Sequence, residues 1–231
     1  MRQRIADISE TIGRGAILLV TCQVAFLVHT VMGVVVAGLF PALAALYGTL
    51  RSWLIEESSR EWTIRHIWDV FHGIWRSELK SANLFGWPQF VLWALLFWDG
   101  FIVRWGDLGM MGLVITAVML LLNVVYGMFV LVSWALRANF DERAPWIIRG
   151  SMQLIMTRPL CSLLVFVVLV GTACVYDVLP GLGILFGFVM PAFLTMLSVF
   201  YAGRLPGMDA REIRERAAAA RRDADAAPAM R

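Results

Sequence analysis

From Gly15 to Leu50 the chain carries no Asp, Glu, Lys or Arg. A helix needs about 20 apolar residues to cross the hydrocarbon core of a bilayer. The run is too long for one pass, and how it is divided sets the topology of everything downstream. Four more charge-poor runs follow, at 82–103 with Asp99 near its end, 108–136, 160–179 with Asp177 near its end, and 181–203. The 231 residues are 60% hydrophobic and 16% charged, against roughly 45–50% and 25% in ordinary globular chains. This is the composition of one polytopic membrane domain. The opening run also exceeds the roughly 7–15 apolar residues of a signal peptide.

Lysines and arginines concentrate on the cytoplasmic side of membrane proteins, so their distribution tests the division. There are 3 before Gly15, 5 from Arg51 to Lys80, 1 at Arg104, 4 from Arg137 to Arg158, none at 177–181 and 7 from Arg204 onward. If the opening run is one span, five helices leave 4 of these on one face and 16 on the other, with the three N-terminal arginines outside. If it turns near His29–Gly33 and makes two passes, six helices put 19 inside and 1 outside. The expected fold is therefore all-α, a bundle of six transmembrane helices in three hairpins. The spans fall at about 15–31, 33–55, 82–103, 108–136, 160–178 and 181–203. Both termini are expected in the cytoplasm. Arg51, inside the second span, can snorkel to the interface.

The first cytoplasmic segment, about 60–80, reads as an amphipathic helix. Ile64, Ile67, Trp68, Phe71, Ile74, Trp75 and Leu79 recur at spacings of three and four, while Arg65, His66, His72, Arg76 and Lys80 fall mostly off that stripe. Such a helix can lie in the membrane interface, pack beneath the bundle, or dock a partner. Arg65, Trp68, Phe71, Trp75 and Arg76 are the candidate docking residues. The second loop contains Trp146-Ile-Ile-Arg149, an echo of Trp62-Thr-Ile-Arg65, and Met190-Pro-Ala192 echoes Phe40-Pro-Ala42. These fit a repeated unit of surface helix plus hairpin, an organisation common in transporters. The tail, 205–231, is rich in Ala and Arg. Its 7 basic residues, counted from Arg204, are offset by 5 acids, which speaks against nucleic acid.

Ionisable groups deep in a span are functional candidates, but Asp99 and Asp177 lie near span ends and read as interface anchors, with Arg104 a partner for Asp99 or Asp107. Gln23, Thr116 and Asn123 are polar residues well inside spans, suited to interhelical hydrogen bonds or to lining a polar pathway. Gly183-x-x-x-Gly187 permits close helix approach. No H-E-x-x-H, G-x-S-x-G or Walker loop is present. His29, His66 and His72 lack acidic partners at metal spacing, and Cys22, Cys161 and Cys174 form no C-x-x-C. No catalytic residue, metal site or cofactor is expected.

Three segments carry a family resemblance. They are Gly38-Leu-Phe-Pro-Ala-Leu-Ala-Ala-Leu-Tyr47, the aromatic-basic stretch Phe71-His-Gly-Ile-Trp-Arg-Ser-Glu-Leu-Lys-Ser-Ala82, and Met156-Thr-Arg-Pro-Leu160. In this order the chain resembles the YesL-like bacterial integral membrane proteins, a family of unknown molecular function. Members are often encoded beside carbohydrate importers of the ATP-binding cassette (ABC) type. The resemblance thus implies an accessory or regulatory partner of such an importer, with the importer subunits and the lipid bilayer as partners. It transfers no catalytic or binding residue. The alternative is a small stand-alone transporter or channel for a polar solute, lined by Gln23, Thr116 and Asn123. The sequence sets no oligomeric state.

Overall fold

The computed structural model describes residues 2–55, 62–105, 109–203 and 205, with side chains from residue 13 and excepting 99–105. The pairing of Arg104 with Asp99 or Asp107, and the tail from 206, lie outside the described side chains. Among the described residues all regular structure is helical. In chain order there are α1 (Arg2–Met32), α2 (Leu39–Ile55), α3 (Ile64–Ser77), α4 (Ser81–Trp105), α5 (Gly109–Asn139), α6 (Ala144–Thr157), α7 (Pro159–Val178), α8 (Pro180–Phe186) and α9 (Val189–Ser198). A π-helical turn at Val199–Gly203 ends the described chain but for Leu205.

The opening charge-free run breaks at 33–38, between α1 and α2. Two glycines close this turn. A Cβ on Gly33 would stand 2.2 Å from the Cα of Gly38, and one on Gly38 would stand 2.4 Å from the carbonyl oxygen of Thr30. Between them Val34 and Val35 adopt φ of 57° and 61°, left-handed backbone that β-branched residues rarely enter. The amides of Gly33, Val34, Val35, Val36, Ala37 and Leu39 all find carbonyls within residues 29–35, at 2.6–3.1 Å.

Proline and threonine mark other boundaries. Pro159 and Pro180 open α7 and α8, where a missing N–H costs nothing. Thr63 caps α3, its hydroxyl accepting from the amide of His66 at 3.3 Å. Both short amphipathic helices, α3 and α6, have 14 residues and turn one side inward: Ile67, Phe71 and Trp75 from α3, and Ile147, Ser151 and Leu154 from α6.

Among the described residues three helices are long and apolar enough to cross a membrane: Gly13–Met32 of α1, α5 and α7. A fourth candidate is the pair α8 plus α9 with its π-helical turn, bent by 70° at the intervening break. At 17 residues α2 is shorter. Apolar side chains cover much of the outside. On α1, Ile17, Val20, Val24, Leu27, Val28 and Val31 form an exposed stripe at helical spacing, the surface a lipid-facing helix needs. The core is built around α2, with Phe40, Leu46, Tyr47, Leu50 and Trp53 buried against Phe26, Phe71, Trp134 and Met196.

The six-pass arrangement sets α3 in the cytoplasm and the α1–α2 turn on the opposite face. The structure brings them together. His29, three residues before the end of α1, lies 3.0 Å from His72 of α3, and Asn83 in the first turn of α4 donates to the carbonyl oxygen of Ala37 at 2.8 Å. Charge counting could not register this, because residues 33–38 carry no charge.

Candidate functional site

The aromatic stripe of α3 faces inward. Phe71 and Trp75 are buried and Trp68 is half-buried, whereas Arg65, His66, Asp69 and Arg76 are exposed on the opposite face. Of the five candidate docking residues, only Arg65 and Arg76 lie fully on the surface.

What the stripe packs on is His29, wholly buried. The centroids of Trp68, Phe71 and Trp75 stand 5.1, 5.1 and 5.3 Å from its ring. Its Nδ1 is 2.8 Å from the carbonyl oxygen of Ala25, an acceptor only, so Nδ1 carries a proton. Its Nε2 lies 3.0 Å from the Nδ1 of His72, so that one of these two nitrogens donates and the other accepts. The two histidines share a single N–H···N bond inside an aromatic surround. The missing sequence signal is tertiary: the residues are 43 apart.

The three polar pathway candidates do not converge. Gln23 reaches from α1 to the α8–α9 break, where its Oε1 accepts from the amide of Val189 at 3.3 Å and its Nε2 donates to the carbonyl oxygen of Ile184 at 3.2 Å. It replaces backbone hydrogen bonds that the bend removes. Tyr176 assists, donating to the carbonyl oxygen of Phe186 at 2.9 Å. Gly187 is required there, since a Cβ would lie 2.2 Å from the carbonyl oxygen of Gly183. The Gly183-x-x-x-Gly187 pattern thus serves a bend within one helical segment.

Thr116 and Asn123 do share a groove, of about 640 Å³, with Trp93, Leu96 and Ala173 among its walls. Thr116 donates to the carbonyl oxygen of Gly112 at 2.8 Å, and Asn123 to that of Met119 at 2.9 Å. The hydroxyl of Thr116 is engaged by its own helix, whereas the amide nitrogen of Asn123 also reaches the carbonyl oxygen of Leu96 on α4 at 3.5 Å and its buried Oδ1 has no hydrogen-bond partner. Gln23 is not part of the groove.

A polar cluster that sequence reading missed lies where α3, α4 and α5 meet. Arg137 of α5 pairs with Glu78 at 2.6 Å and donates to the hydroxyl of Ser81 at 3.1 Å, and its guanidinium lies over the ring of Phe85 at 5.1 Å. Ser81 also bonds Glu78. Beside it, Arg51 donates to the side-chain oxygen of Asn139 at 3.2 Å. Arg51, Glu78, Arg137 and Asp141 line a polar hollow of about 230 Å³. The sequence shows these charges only as residues far apart in the chain. Among the described residues no group of three or more His, Cys, Asp or Glu could hold a metal ion.

The model of a family described as "Protein of unknown function, DUF624" matches residues 19–100. That stretch covers the apolar part of α1, all of α2 and α3, and α4 up to Gly100, and so includes the His29–His72 contact. No curated protein and no solved structure matches the chain.

Proposed function

We propose that the protein is a YesL-like multi-pass protein of the bacterial cytoplasmic membrane, acting as an accessory or regulatory partner of a carbohydrate ABC importer. Its apolar helices form three sequential pairs (α1–α2, α4–α5, and α7 with α8–α9), with both termini and 19 of the 20 basic residues on the cytoplasmic side.

The observation that supports an adaptor over a conduit is the fate of the polar groups within the apolar helices. Gln23 is taken up by the α8–α9 break, Thr116 by its own helix, and the amide nitrogen of Asn123 by carbonyl oxygens of α5 and α4. What remains for a partner is the outer face of α3, with Arg65, Asp69 and Arg76, beside the hollow at Arg51 and Arg137. Purification in mild detergent is expected to recover importer permease or ATPase subunits, and Arg65→Glu combined with Arg76→Glu to weaken that recovery. Isolation without partners, together with normal sugar uptake in a deletion strain, overturns the reading.

One observation favours a second reading, a small transporter or channel: Thr116 and Asn123 share the α4–α5–α7 groove. It requires solute flux in proteoliposomes holding this chain alone, abolished by Asn123→Leu.

A further inference from the structure

We infer that the α1–α2 pair does not cross the bilayer: it enters and leaves through the cytoplasmic leaflet, with its valine-rich turn seated among that leaflet's acyl chains. The inference rests on the membrane placement proposed above but not on any importer partnership.

Asn83 acts as a depth gauge. It sits in the first turn of α4 and holds the carbonyl oxygen of Ala37, within the α1–α2 turn, at 2.8 Å. From Asn83, α4 runs on to Trp105, about 33 Å of helix at 1.5 Å per residue. The hydrocarbon core is about 30 Å thick. With α4 crossing as in the placement proposed above, the turn lies at the face where α4 begins, and the other face is a membrane thickness away. The face where α4 begins is the one bearing Glu78, Lys80 and Arg137, the side to which the basic residues assign the cytoplasm.

The packing of α3 agrees. It lies against both α1 and α2, through His72 on His29 and Ile74 beside Gly48, and keeps Arg65, Asp69 and Arg76 exposed. If the pair crossed the membrane, α3 would carry those charges into hydrocarbon. With the pair lying shallow, α3 sets them among headgroups and water. The 17 residues of α2 also span only about 25 Å.

The turn itself is built for hydrocarbon. Val31, Met32, Val34, Val35 and Val36 are exposed, Val34 to 80%. An outer turn in water would carry polar residues, whereas 33–38 is Gly, Val, Val, Val, Ala, Gly. Its amides at 33–37 and 39 are bonded internally and the carbonyl of Ala37 is met by Asn83, and non-helical backbone at membrane depth needs such satisfaction. The left-handed φ of Val34 and Val35 is tolerated in a turn that points both side chains outward. Acyl chains are the occupant these features select: the patch is wholly apolar and continues the lipid-facing stripe of α1.

The test uses the full chain with Cys174, the exposed cysteine, changed to Ala; Cys22 and Cys161 stay, being buried. Val35→Cys is compared with Asp177→Cys, at the α7–α8 bend, and with Asp141→Cys, between α5 and α6. A chain without any added cysteine provides the blank, and monodisperse elution confirms folding of each variant. Membrane-impermeant maleimide added to intact cells is expected to label Asp177→Cys and to leave Val35→Cys unlabelled. In proteoliposomes, a bimane on Val35→Cys is expected to lose fluorescence when the lipids carry a nitroxide on the acyl chain. Labelling of Val35→Cys from outside, as strong as at Asp177→Cys, means a full pass and overturns the inference. Labelling only in inverted vesicles, as at Asp141→Cys and without lipid quenching, means a turn in water and also overturns it. Protection from both sides without lipid quenching means that protein covers the turn, a third refutation. Co-purification of importer subunits can succeed or fail under any of these results, so the two proposals fall separately.

Discussion

Gln23 shows how much one side chain can settle. A glutamine in an apolar helix is costly unless its amide is matched on both ends, and here both ends meet the backbone of the α8–α9 break. Gln23→Leu is expected to leave the Val189 amide and Ile184 carbonyl unpaired and to cost about 1–3 kcal/mol, read as a lower Tm in detergent. Gly187→Ala attacks the same break from the other side, by driving a Cβ against the carbonyl oxygen of Gly183, at about 1–3 kcal/mol. Because the two changes damage one bend, the double variant is expected to lose less than their sum; strict additivity would show that the sites are uncoupled. In the turn after α1, Val34→Gly removes a left-handed β-branched residue whose strain is about 1–2 kcal/mol, offset by the greater backbone freedom of glycine, about 0.5–1 kcal/mol. A small rise in Tm in detergent is the expected sign.

The helix α3 separates what its sequence stated from what only the fold could. Its amphipathic stripe was legible, since it is local: the apolar residues recur every three or four. The direction in which the stripe faces was not. Trp68, Phe71 and Trp75 are equally suited to a partner's groove and to the bundle, and the buried residue they surround, His29, belongs to another helix. The Arg137–Glu78 pair was hidden for the same reason, its members being 59 residues apart. Phe71→Ala is expected to cost about 3–5 kcal/mol, whereas Arg65→Ala is expected to stay within about 0.5 kcal/mol. Equal losses in a detergent melt would contradict the inward orientation of the stripe. A double-mutant cycle on Glu78 and Arg137, both partly open to solvent, is expected to give a coupling of about 1 kcal/mol or less.

For the whole molecule, hydropathy sufficed to recognise a membrane protein, because apolar runs of this length have no other stable solvent. The all-helical class followed, since lone segments in lipid must satisfy their own backbone. Against the six spans expected, three helices, or four with the bent α8–α9 pair, are long and apolar enough to cross among the described residues. Basic residues divide the segments between faces, but an uncharged turn contributes nothing to that count wherever it sits. The α8–α9 bend was equally silent in the sequence, since Gly183 and Gly187 read as a packing motif until Gln23 and Tyr176 are seen holding the break.

The link from Gln23 to Val189 spans 166 residues, and this has a bearing on biogenesis. A ribosome adding about 5–20 residues per second needs roughly 8–33 s to make that stretch. During that interval the amide of Gln23 lacks both of its partners at the α8–α9 break. The last helices therefore close the assembly, and a nascent chain halted before Pro180 would expose in α1 an unmet polar group of the kind that membrane quality-control proteases can recognise.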